Sequence, residues 1–147
     1  MKKRLSGFSL IELLIVLTIT ISILVLAAPR LNGTLDSLQV KKLSREIVAS
    51  LRATRSQAIS KGQDGTWLLD LDKHYFQYGR ENTKVSYADD IKLVLTTASK
   101  EQVSDTVARI RFFPDGSATG GEIKLSQGKF NYSIHIDWLT GRVKIYE

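Results

Sequence analysis

Residues 1–29, MKKRLSGFSLIELLIVLTITISILVLAAP, set the terms for the rest of the chain. A basic head (Lys2, Lys3, Arg4) and two small residues (Ser6, Gly7) lead into an apolar run over residues 8–28. As a helix rising about 1.5 Å per residue, that run spans the roughly 30 Å of a bilayer's hydrocarbon core. One residue breaks the pattern. Glu12 sits near the start of the run, and a charged group at mid-bilayer costs roughly 2.5–3.5 kcal/mol or more, so such groups are usually paired and functional.

Two ordinary readings compete. A secretory signal peptide is cut after its apolar region, at an A-x-A-like site, and that region is discarded. Ala27-Ala28 matches such a site only loosely, because Val25 is not small and Pro29 follows at once. A plain membrane anchor fits the composition but gives no reason for Glu12. A cut after Gly7 would instead keep the helix together with its acid.

The order Lys3-Arg4-Leu5-Ser6-Gly7-Phe8-Ser9-Leu10-Ile11-Glu12, ahead of an apolar helix, resembles the processing signal of type IV pilins and of the pseudopilins of type II secretion. The resemblance implies that prepilin peptidase cuts between Gly7 and Phe8 and that Phe8 is then N-methylated. It also puts Pro29 where that family has a helix-kinking proline. Cleavage creates a new amine on Phe8, and Glu12 of one subunit is expected to neutralise the Phe8 amine of a neighbour during assembly. Removing one partner from a buried charge pair costs roughly 3–5 kcal/mol, so such a contact fixes register.

The formal net charge of +6 invites a nucleic-acid reading. Its distribution argues otherwise. Residues 30–61 hold seven bases against Asp36 and Glu46, whereas residues 62–147 hold eleven bases and twelve acids. The excess lies on the leader and on one predicted helix. The leader's bases keep the N-terminus cytoplasmic, so the remainder is expected to be periplasmic, on a single-pass inner-membrane protein. With no cysteine in the chain, an exported domain has neither disulfide nor thiolate metal site and relies on its apolar core.

Beyond Pro29, apolar residues at Leu31, Leu35 and Leu38, then at Val40, Leu43, Ile47, Leu51 and Ala58, step by threes and fours along one face of a helix, with Thr54 as a polar interruption. Gly62 is a natural C-cap, and Pro29 with Gly33 predicts a kink or loosened turn. The bases Lys41, Lys42, Arg45, Arg52 and Arg55 read most simply as a solvated surface. After Gly62 short strands are expected at 67–71, 75–78, 85–87, 91–95, 108–113, 122–125, 132–137 and 142–146. Turns are expected at Pro114-Asp115-Gly116 and Leu139-Thr140-Gly141, and the polar stretch 96–106 reads as a loop. The fold class is α+β: a long N-terminal helix, transmembrane and then amphipathic, packed against an antiparallel sheet domain. The boundaries are a cleaved leader (1–7), a transmembrane helix (8–29), an amphipathic helix (30–61) and a β-rich periplasmic domain (62–147).

The phrases Phe112-Phe113-Pro114-Asp115-Gly116-Ser117-Ala118-Thr119-Gly120-Gly121 and Asp137-Trp138-Leu139-Thr140-Gly141-Arg142-Val143 resemble the C-terminal domain of the H-type minor pseudopilins of type II secretion systems. Leu51-Arg52-Ala53-Thr54-Arg55-Ser56-Gln57-Ala58-Ile59 is similar to that group as well. This resemblance implies a type IV pilin-like fold and a structural role at the tip of a pseudopilus that moves folded proteins across the outer membrane. Its implied partners are other minor and major pseudopilins, prepilin peptidase, the inner membrane and secreted substrates. Residues 80–106 carry no such likeness.

Enzymatic chemistry finds little support. His74 and His135 fall in a turn and on an alternating strand, no serine sits in a G-x-S-x-G frame, and no cofactor is implied. Asp70 with Asp72, and Asp89 with Asp90, lack EF-hand spacing, so no metal is expected. The competing functional reading is a FimT-like minor pilin that takes up DNA, a kind that resembles this chain in the basic motif Gly141-Arg142-Val143-Lys144. Arg142 and Lys144 would share a strand face and could contact phosphates, but the acid–base balance of residues 62–147 disfavours nucleic acid.

Overall fold

The computed structural model describes residues 9–79 and 81–147, and the side chains of residues 26–36 lie outside that description. The chain divides into two units, Met1–Leu35 and Asp36–Glu147. One helix, α1 (Leu10–Lys61), contributes to both. It does not end at Pro29 or Gly33.

In the first unit α1 begins beside Ser9, whose carbonyl accepts from the Glu12 and Leu13 amides at 3.0 and 3.2 Å. Every large apolar side chain over residues 10–25 is exposed. A helix apolar on all sides has no single face to bury within its own fold. Its hydroxyls are turned inward: Thr18, Thr20 and Ser22 donate to the carbonyls of Leu14, Val16 and Thr18 at 2.7–2.8 Å. Among the described residues no helical stretch is long and apolar enough to cross a membrane. The predicted span also takes in Phe8 and the side chains of residues 26–29, which lie outside the description.

In the second unit α1 buries one face. Val40, Leu43, Ile47, Leu51 and Ala58 are buried as the period predicts, and Val48, Ser44, Ser50 and Thr54 are buried with them. Thr54 is no interruption, because its hydroxyl donates to the Ser50 carbonyl at 2.8 Å and so carries no unmet polar group into the core. The helix closes at Gly62 (φ 62°), with the Gln63 amide donating back to the Ala58 carbonyl.

Among the described residues eight strands follow: β1 (Gly65–Asp70), β2 (Tyr75–Tyr78), β3 (Thr83–Ser86), β4 (Lys92–Thr97), β5 (Val107–Phe112), β6 (Gly121–Gln127), β7 (Phe130–Ile136) and β8 (Val143–Tyr146). They form two four-stranded sheets rather than one, ordered β3-β2-β1-β5 and β4-β6-β7-β8, with antiparallel pairing throughout. Both sheets supply the core against the helix: Trp67, Leu69, Phe76, Ile110 and Phe112 from the first, Leu93, Ile123, Leu125, Ile134 and Ile136 from the second. On β7 the alternation holds, with Ile134 and Ile136 buried and His135 exposed.

Two contacts fix β1 to the helix. Trp67 is fully buried and stacks on Phe76 at 5.4 Å. Its indole N–H donates to the Ser50 hydroxyl at 2.8 Å, which itself donates to the Ile47 carbonyl. A buried indole thus keeps its one polar group satisfied. Gly65 permits the close approach, since a Cβ there would lie 2.9 Å from the Thr54 carbonyl oxygen.

The reading of 96–106 as a loop needs correction. Thr96 and Thr97 close β4, Ser99–Glu101 form a 3-10 turn, and Glu101 is buried. Its carboxylate accepts from Arg109 Nε at 2.6 Å and lies 3.4 Å from Arg111 Nη2. Both arginines stand on β5, alternating with the buried Ile110 and Phe112. The polar segment is therefore tied to the sheet by charge.

Candidate functional site

The last turns of α1 and two glycine turns build a basic groove in the second unit. The first turn joins β5 to β6. The Gly116 amide donates to the Phe113 carbonyl and Asp115 accepts from the Ser117 amide and hydroxyl, with Gly116 at φ 86°. The second joins β7 to β8. Asp137 Oδ1 accepts from the Thr140 amide and hydroxyl, both at 2.7 Å, and the Gly141 amide donates to the Asp137 carbonyl. Gly141 has φ 60°, and a Cβ there would collide with the Gly116 carbonyl oxygen. Only glycine lets the two turns meet.

Hydrogen bonds from Ser117 and Thr140 hold the Asp115 and Asp137 carboxyls below their ordinary range, because a bond to the charged form favours it. Two arginines of α1 reach across. Arg55 Nε donates to the Gly116 carbonyl at 3.0 Å, and Arg52 Nη2 donates to the Val143 carbonyl at 3.2 Å. Arg52 is exposed, in keeping with a solvated surface, and Arg55 is half-buried, and each in addition links the helix to a strand or turn distant in sequence. Lys42, by contrast, faces Glu46 one turn on, at 3.8 Å, largely in solvent.

The resulting groove, about 600 Å³, is lined by Arg52, Arg55, Ser56, Ile59, Ser60 and residues 141–144. Arg142 and Lys144 are exposed on either side of the buried Val143, as their alternation predicts. The structure adds Arg52 and Arg55 to that pair, which chain order hides because some ninety residues separate them. At the head of the second turn Trp138 and Leu139 stand in solvent, 66% and 64% exposed.

The other predicted positions lie elsewhere. Gly7 and Phe8 fall outside the described residues. Glu12 is exposed in the first turn of α1, where a carboxylate also offsets unpaired amides. His74 has its Nδ1 3.5 Å from Asp89 and packs edge-on to Tyr87, while His135 is exposed opposite Lys144. Asp70 accepts from the Lys73 amide, and Asp90 from the Gln127 amide group. Among the described residues no three acids or histidines gather to hold a metal.

Comparison with known proteins agrees with this architecture. A family profile described as "Type II transport protein GspH" matches residues 43–140. The "Type II secretion system protein H" of Xanthomonas campestris pv. campestris is 31% identical over 144 residues, covering 97% of this chain and 84% of that protein. Among solved structures, the minor pseudopilin EpsH from the type 2 secretion system of Vibrio cholerae superposes with a TM-score of 0.59 at 11% identity, over 74% of this chain and 96% of that one. The type IV minor pilin FimU of Pseudomonas aeruginosa gives a TM-score of 0.55 at 16% identity, over 74% and 88% of the respective chains. These last two likenesses establish a shared fold.

Proposed function

The chain belongs to the GspH family of type II transport proteins, and from that premise we propose that it is a minor pseudopilin of a type II secretion system. It is held in the inner membrane by residues 8–29 and joins the tip of a pseudopilus that helps export folded proteins. The observation that carries the anchoring half is the stem itself. Residues 10–25 expose apolar side chains on every side while Thr18, Thr20 and Ser22 return their hydroxyl protons to their own helix. In lipid, where no water can satisfy a polar group, that arrangement leaves Glu12 as the one costly side chain of the stretch.

Glu12 is then the assembly residue. Prepilin peptidase releases a Phe8 amine by cutting after Gly7 and methylates it, and Glu12 of one subunit meets that amine on the next as stems leave the lipid. Other pseudopilins are the direct partners, and no catalytic step belongs to this chain. The basic groove is where a DNA-uptake reading would have to act, and the acids of residues 62–147 weigh against it.

Mass spectrometry of the mature protein tests the first step, with a product beginning at N-methylated Phe8 expected. A product beginning beyond residue 28 would remove the stem and end the proposal. For the second step, Glu12→Leu and Glu12→Gln are both expected to be processed normally yet to fall at least ten-fold in pseudopilus incorporation. Full incorporation of Glu12→Gln would reduce Glu12 to a helix-start residue, since the amide keeps the hydrogen-bonding shape and loses only the charge.

A further inference from the structure

We infer that the groove between the end of α1 and β8 receives an extended, carboxylate-bearing segment of a neighbouring subunit, with its acids at alternate positions. This rests on the pseudopilin reading for the identity of the neighbour and on the groove's own geometry for its chemistry. Arg142, just before β8, and Lys144, on it, flank the buried Val143, so the two exposed side chains leave the backbone on the same side from Cα atoms about 6.8 Å apart. An extended segment with acids two residues apart repeats at that same spacing.

Arg52 and Arg55 are already oriented by bonds to Val143 and Gly116, so placing their charge costs little further side-chain entropy on binding. The Val143 carbonyl on the edge of β8 is occupied by Arg52, and at that point the segment is held by side chains rather than by added strand pairing. Trp138 and Leu139 add an exposed apolar tip on a turn tied by Asp137, and tryptophan is a residue type enriched among binding anchors.

A polyphosphate fits less well. Asp115 and Asp137, held in the two turns beside the groove and not among its lining residues, make its surroundings mixed in charge, which disfavours a dense anion more than separated carboxylates.

The test uses the full chain in nonionic detergent micelles with three labelled probes. These are a ten-residue peptide of alternating Glu and Thr, its isomer with the five Glu in one block, and an oligothymidylate of equal charge. The alternating peptide is expected to bind at least ten-fold tighter than the other two. Arg142→Gln with Lys144→Gln should abolish that advantage, and Lys42→Gln should leave it unchanged. Equal binding of the blocked isomer, or retention of the advantage in the double variant, overturns the proposal, and tighter binding of the oligothymidylate transfers the groove to nucleic acid. Leader processing, followed by mass spectrometry on the same preparations, reports on the pseudopilin reading without touching the groove.

Discussion

The two halves of α1 share a backbone and little else. Over residues 10–25 every apolar side chain is exposed, whereas between Val40 and Ala58 one face is buried under two sheets. The first half is apolar all round and carries its hydroxyls folded back on itself. The second keeps a strict stripe and uses its polar residues as ties, Ser50 to Trp67, Arg52 to Val143 and Arg55 to Gly116. A helix written for a fluid neighbour needs uniformity, and one written for a fixed neighbour needs addresses.

That contrast can be broken hardest at Trp67. Trp67→Ala leaves a cavity against the helix and removes the donor to the Ser50 hydroxyl, which keeps its own bond to the Ile47 carbonyl, and should cost about 3–5 kcal/mol in denaturant unfolding of the β-rich domain. Leu17→Ala, in the exposed stretch, should leave the same transition unmoved. A Leu17→Ala loss as large as that of Trp67→Ala would show that the stem is packed in the folded chain after all.

A smaller effect is expected from the ties made by charge. Glu101→Gln leaves Arg109 and Arg111 without their buried carboxylate. Because both guanidiniums remain about one-third exposed, water offsets part of the loss, and about 1.5–3 kcal/mol is expected. Faster amide exchange over residues 98–106 would locate the loss; unchanged exchange there would mean that the 3-10 turn holds without its ion pairs.

Acid gives the smallest effect. The Asp115 and Asp137 carboxyls titrate lower in the folded chain than in the unfolded one. Their contribution is therefore present above the ordinary aspartate range and is lost as pH falls through the lowered folded values. Trp138 fluorescence should change over that acid window and Asp137→Asn should remove most of the change, while helical content of the stem stays flat.

How much of this was legible beforehand follows from distance along the chain. The stripe on α1, the Gly62 cap and the turns at Gly116 and Gly141 are local, and each was readable from neighbours within a few residues. Strand positions were nearly as plain, with β2 recovered in full. The division into two sheets was not, because β1 pairs with β5 across three intervening strands and no local pattern encodes that choice. Residues 96–106 misled for a related reason: Glu101 looks like a loop acid until Arg109 and Arg111 arrive on a later strand. The groove was half visible, with Arg142 and Lys144 evident by alternation and Arg52 and Arg55 hidden by their distance from them.

The inward-turned hydroxyls of the stem have a mechanical corollary. A rod whose Thr18, Thr20 and Ser22 give their hydroxyl protons to their own helix offers an adjoining rod no hydroxyl donor along those turns, only acceptor oxygens set in hydrocarbon. If the carboxylate near one end is the fastening point that fixes register, bundled copies can still rotate about it. Such a joint behaves as a swivel, and a swivel lets the heads above it change neighbours without the stems letting go.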